Sequence, residues 1–131
     1  FEKIVSDYKY TVDVKFIGSN ERDEQRMITA AAYAVILPFN GSEDATTALH
    51  AMKVGVPVIA SKDSVVNEVA EDAALYIETE TIKDIGEKMM QLYKDEDLRS
   101  ALIKKGNEIV KNYTEEKSAT QLWRSITEAL N

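Results

Sequence analysis

The sequence has no cysteine, a single histidine and fewer cationic side chains (16) than anionic ones (23). Without cysteine there are no disulfides and no thiolate nucleophile or metal ligand, which fits a reducing compartment. One histidine, His50, excludes multi-histidine metal sites. The net charge of −7 argues against a general nucleic-acid surface, which needs clustered Lys and Arg to neutralise phosphates. Solubility accounts for the acidity. Long apolar runs are also missing: nothing approaches the ~20 residues that span a bilayer. No Ser-His-Asp set, glycine-rich phosphate loop or metal-ligand cluster occurs. A secretory signal pattern is absent too, and the chain opens on Phe1-Glu2-Lys3 without an initiator Met. That start is expected of an excised domain, so the missing signal says little about the parent protein.

What is present is an alternation of strand-like and helix-like segments in 131 residues, a length suited to one domain. Phe1, Ile4, Val5 and Tyr8 have helical spacing. Residues 12–17 alternate into a short strand that Gly18-Ser19-Asn20 stops. Ser19 or Asn20 can cap a helix over 21–32, whose early acids Glu21, Asp23 and Glu24 complement its dipole. Tyr33-Ala34-Val35-Ile36-Leu37 is continuously apolar, as in a strand buried on both faces. After Pro38 comes a loop, then a helix over 46–54 with Gly55 as its C-cap. Residues 56–60 form the next buried strand, 64–71 a short helix, and 74–77 a further strand. From Thr81 the pattern is helical, with Gly106 interrupting it and Thr114 capping a last helix. This order predicts an α/β fold: a Rossmann-like open parallel sheet with helices on both faces and a helical C-terminus.

Loops at the carboxyl ends of parallel strands are where ligands bind. The loop between Pro38 and the following helix is therefore the principal candidate. Its helix N-terminus offers unpaired N–H groups, and Ser42, Thr46 and Thr47 add hydroxyls. Glu43 and Asp44 occupy the same place and can satisfy those N–H groups themselves, so a simply well-capped helix is the competing reading. His50 sits about two turns on, either as a ligand contact or as a structural side chain. Glu68 either binds a substrate hydroxyl or complements a dipole. Lys62 is the one cation expected near the crevice. Trp123, on the last helix, is assigned to core packing, with docking onto another domain as the alternative.

The ordered set Val14-Lys15-Phe16-Ile17-Gly18, Ala34-Val35-Ile36-Leu37-Pro38, Leu49-His50-Ala51-Met52 and Gly55-Val56-Pro57-Val58-Ile59-Ala60-Ser61 resembles the C-terminal half of a group 1 retaining glycosyltransferase. The likeness continues through Asn67-Glu68-Val69, Asp72-Ala73-Ala74-Leu75, Asp95-Glu96-Asp97-Leu98-Arg99 and Tyr113-Thr114-Glu115-Glu116-Lys117. The resemblance implies one Rossmann-like domain over 1–131, the donor-binding half of a larger cytoplasmic enzyme whose N-terminal acceptor domain is absent. It implies a nucleotide-sugar donor, no metal or other cofactor, and no nucleic acid. It is compatible with peripheral membrane contact of the parent and a role in polysaccharide biosynthesis. This fragment alone is not expected to be active, and no residue is assigned a catalytic role.

The family's two glutamates, eight positions apart, fall on Ser42 and His50. Its glycine-aromatic-glycine run falls on Glu43, Asp44 and Ala45, and a proline on Thr47. By this likeness Gly18, Ser19 and Asn20 border the base; Ser42, Glu43, Asp44, Ala45, Thr46 and Thr47 surround the diphosphate and sugar; His50 meets the ribose; and Glu68 supports the crevice. The alternatives are a degenerate scaffolding or docking domain without donor binding, or a receiver-like phosphate-binding module. The latter is disfavoured because no acidic cluster follows an early strand.

Overall fold

A computed structural model describes residues 9–18, 22–38, 41, 44–78 and 81–130. The helix expected near the N-terminus falls on residues 1–8, outside the described residues. Three short strands, β1 (Val35–Leu37), β2 (Val58–Ser61) and β3 (Ala74–Ile77), form a parallel sheet in the order β1-β2-β3. Val35, Ile36 and Leu37 lie opposite Val58, Ile59 and Ala60, and β2 continues this register onto residues 74–77 of β3. The crossovers are helices α2 (Asp44–Lys53) and α3 (Val65–Ala70); α1 (Arg22–Ala31) precedes β1. Beyond β3 follow α4 (Ile82–Lys94), α5 (Glu96–Val110) and α6 (Glu115–Ala129).

Strand alternation divides the core in two. Val58 and Ala60 meet Ala48, Ala51 and Met52 of α2 and Val66 and Ala70 of α3. Ile59 and Ile77 face the other way, onto Leu92 of α4 and Leu102 of α5. Both faces of the sheet are thus covered, as a continuous apolar strand requires.

Helix ends follow local chemistry. Gly55, at φ 77°, closes α2: its N–H donates to Met52 O and the Val56 N–H to Ala51 O, the paired bonds of a Schellman turn. Thr81, Asp95 and Thr114 cap α4, α5 and α6 by accepting from the N–H three residues ahead.

Two expectations are corrected here. Residues 12–17 form no strand: Thr11–Asp13 is a 3-10 turn, and 14–18 lie outside regular structure. Val12 is 87% exposed, so its apolar alternation has no buried surface to work against. The four-strand alternation is therefore three-stranded among the described residues. Gly106 does not interrupt a helix but sits buried inside α5, where Cβ on it would stand 2.9 Å from Met52 Cγ. The glycine is what lets α5 approach α2 so closely.

Candidate functional site

A broad open groove of about 1380 Å³ lies along the outer side of α2. It runs from Thr46 and Thr47 in the first turn through His50 to Lys53 in the last. The spacing of Thr46, His50 and Lys53 is i, i+4, i+7, which places them on one helical stripe. Ile17 and Gly18 border the groove. Gln25, Arg26 and Thr29 of α1 form one wall, and Lys111, Tyr113, Thr114 and Glu116 form the other.

Of the residues singled out in the sequence, Gly18, Thr46, Thr47 and His50 converge on this groove. Ser19, Asn20, Ser42 and Glu43 lie outside the described residues. Asp44 is turned away: its Oδ2 accepts from the Gly41 N–H at 2.7 Å, while its own N–H donates to Gly41 O at 3.2 Å. Asp44 thus closes a local turn back onto Gly41, its carboxylate holding the Gly41 N–H. A negative charge of the protein's own already serves one N–H at this helix start. Ala45, partly buried, does not line the groove, and exposed Glu68 stands apart in the first turn of α3.

His50 is the most informative polar group of the groove. Its Nε2 is shut off from solvent and has no hydrogen-bond partner among the described residues. A buried polar atom left unpaired costs roughly 1–3 kcal/mol. An imidazole nitrogen can donate or accept, according to tautomer.

Charge around the groove was incompletely legible. Lys62 is not part of it; its Nζ holds Glu78 Oε2 at 2.8 Å beyond the ends of β2 and β3. The contact raises the pKa of Lys62, chiefly through that hydrogen bond. Among the described residues the lining cations are instead Arg26, Lys53 and Lys111, against the acid Glu116. Arg26 is 3.6 Å from Asp23, and Lys111 is 2.7 Å from Glu108, whose carboxyl is held below its usual pKa by that bond. Lys53 has no salt bridge among the described residues. The helical stripe it shares with Thr46 and His50 was readable in the sequence. The convergence of Arg26 and Lys111 depends on tertiary packing and was not.

Among the described residues no group of three or more His, Asp or Glu side chains is poised to hold a metal. None of the described helices is long and apolar enough to cross a membrane.

A three-stranded parallel sheet with helices on both faces places the chain among Rossmann-like α/β domains. Within that class the match is specific: residues 1–109 fit the model of the family described as Glycosyl transferases group 1, and the chain belongs to that family. The similarity noted at 113–117 lies beyond the matched residues. No curated protein matches the chain.

Proposed function

We propose that the chain is the donor half of a glycosyltransferase and that the groove along α2 binds a nucleotide sugar. The parent enzyme would transfer the sugar to a glycan or lipid-linked acceptor, in polysaccharide biosynthesis in the cytoplasm, with the acceptor held by a separate N-terminal domain. The observation that carries this reading is the His50 Nε2, buried without a partner among the described residues, on a residue that lines the groove with Thr46 and Lys53. A ribose supplies hydroxyls to the imidazole, and Lys53 supplies positive charge, while Arg26 and Lys111 are each held by a neighbouring carboxylate.

Titration calorimetry with UDP-, GDP- and ADP-sugars tests it. One nucleotide should bind, and His50→Ala should weaken it about tenfold, near the cost of one polar contact. Equal affinity for wild type and the alanine variant would remove His50 from the site.

A second reading has its own observation. Asp44 occupies the Gly41 N–H at the start of α2, where a diphosphate would otherwise find a donor. In that reading the domain keeps the fold for scaffolding or docking and has no donor affinity. Absence of binding by all three nucleotide sugars, in wild type and in Asp44→Asn alike, would support it.

A further inference from the structure

Asn40-Gly41 is the one Asn-Gly pair in the sequence, and Asn-Gly is the dipeptide most prone to lose its side-chain amide. That reaction starts at the glycine nitrogen. With no Cβ beside it the nitrogen is little hindered, and once its proton has left it attacks the asparagine Cγ. Here the proton is held. The Gly41 N–H donates to Asp44 Oδ2 at 2.7 Å, and the Asp44 N–H donates back to Gly41 O at 3.2 Å. Asn40 lies outside the described residues, whereas the Gly41 nitrogen and the Asp44 carboxylate lie within them.

The same contact requires the glycine. A Cβ at position 41 would stand 2.7 Å from Asp44 Oδ1 and 3.0 Å from its Cγ, so the carboxylate closes on this N–H only over a residue without a side chain. That requirement sets a glycine after Asn40 and creates the labile pair. The carboxylate also opposes the reaction. A charge-assisted N–H···O⁻ bond is among the stronger hydrogen bonds, and it stabilises the amide that must lose its proton. Deprotonation would leave an amide anion beside a carboxylate, two like charges at close range. A carboxylate is far too weak a base to take an amide proton itself. It holds the proton and does not remove it.

We propose that Asn40 is a latent deamidation site that Asp44 keeps shut. When the bond opens, the Gly41 nitrogen loses its proton to solvent and attacks Asn40 Cγ. The N–Cγ bond forms, the Cγ–Nδ2 bond breaks, and ammonia leaves with a proton returned by solvent. Water then opens the resulting succinimide at either carbonyl, giving aspartate or isoaspartate. No oxidant or reductant takes part. The product carries one more negative charge in the loop that leads into α2, and the isoaspartate form also lengthens the backbone by a methylene.

The test incubates the 131-residue chain in mildly alkaline buffer and follows the fragment containing Asn40 by mass spectrometry, with separation of the aspartate and isoaspartate forms. Asp44→Ala should speed loss of the Asn40 amide about tenfold or more, the scale of one hydrogen bond to a charged group. Asp44→Asn, which keeps an acceptor, should fall between the two. In synthetic peptides of residues 36–46, where the turn is absent, wild-type and Asp44→Ala sequences should react at similar rates, both faster than the folded wild type. Equal rates in the folded wild type and Asp44→Ala would overturn the proposal, as would a slower rate in Asp44→Ala, which would make the carboxylate a base. A folded wild type that reacts as fast as its peptide would overturn it too.

Discussion

At the scale of single residues, Asp44 and Glu71 each sit where a different side chain would suit the backbone or a ligand better. Asp44 places a carboxylate at the start of α2. Two like charges ~4 Å apart cost about 1 kcal/mol in water and about 4 kcal/mol at intermediate dielectric. Asp44→Asn keeps an acceptor for the Gly41 N–H but removes the charge. Affinity for a nucleoside diphosphate should therefore rise about tenfold or more in calorimetry. An unchanged affinity would mean that no phosphate approaches this helix start. Glu71 ends α3 at φ 45° and ψ −117°, the one positive φ among described residues other than glycine. That conformation costs an L-residue about 1–3 kcal/mol, part of which glycine returns as unfolded-chain entropy. Glu71→Gly should stabilise the protein by about 1 kcal/mol in urea denaturation.

The Tyr76 hydroxyl donates to the carbonyl of this same Glu71 at 2.6 Å. Burial first, then the charges of Asp72 and Glu71, push the Tyr76 phenol up to about 12. A pKa raised on folding means stability fully present below pH 10, the ordinary tyrosine value, and lost as pH rises through 12. Melting temperatures should fall over that window, by less than the full shift implies because solvent still reaches the phenol. Tyr76→Phe should show a shallower alkaline decline, and an identical decline in both proteins would count against the assignment. The opposite sign applies at Asp72, whose pKa is lowered mainly by its 2.6 Å bond to Lys105. Its contribution is present above the ordinary carboxylate pKa and lost on acidification.

At the scale of elements, the contact of α2 with α5 is set by Gly106. Alanine there would bring Cβ to 2.9 Å from Met52 Cγ and 3.1 Å from its Cβ. Overpacking of a filled core costs roughly 1–3 kcal/mol, so Gly106→Ala should lower the unfolding free energy from urea denaturation by that much. Met52→Ala frees the space, and the double variant should be more stable than the sum of the single effects allows. The same helices show how far pattern alone reaches. The β1-α2-β2-α3-β3 unit was legible because its apolar runs and Gly55 are local signals, as Thr81 is for the start of α4. The role of Gly106 was not, because sequence marks a small residue as a break and cannot tell that Met52 fills the space beside it. Residues 12–17 misled for a related reason. Alternation shows that a segment suits a sheet, but a strand exists only where an edge receives it.

At the scale of the whole molecule, the sheet and α6 are separable. Trp123 is 69% exposed, and Leu122 and Leu130 are exposed as well, so the tryptophan assigned to the core from sequence is not in it. An amphipathic stripe reports that a helix face needs a cover, without saying which surface supplies it. A helix of 15 residues is marginal on its own in water. The links of this segment to the preceding turn are bonds of Lys117 Nζ to Lys111 O and Asn112 Oδ1, both exposed. Ending the chain at Asn112 should therefore cost less than about 1 kcal/mol in stability, the scale of exposed contacts. The same truncation removes Tyr113, Thr114 and Glu116, which wall the groove opposite α1, and should weaken nucleotide binding several-fold. A large loss of stability would show that α6 belongs to the folding core. Unchanged binding would show that the ligand stays on the α1–α2 side of the groove, against His50 and Arg26.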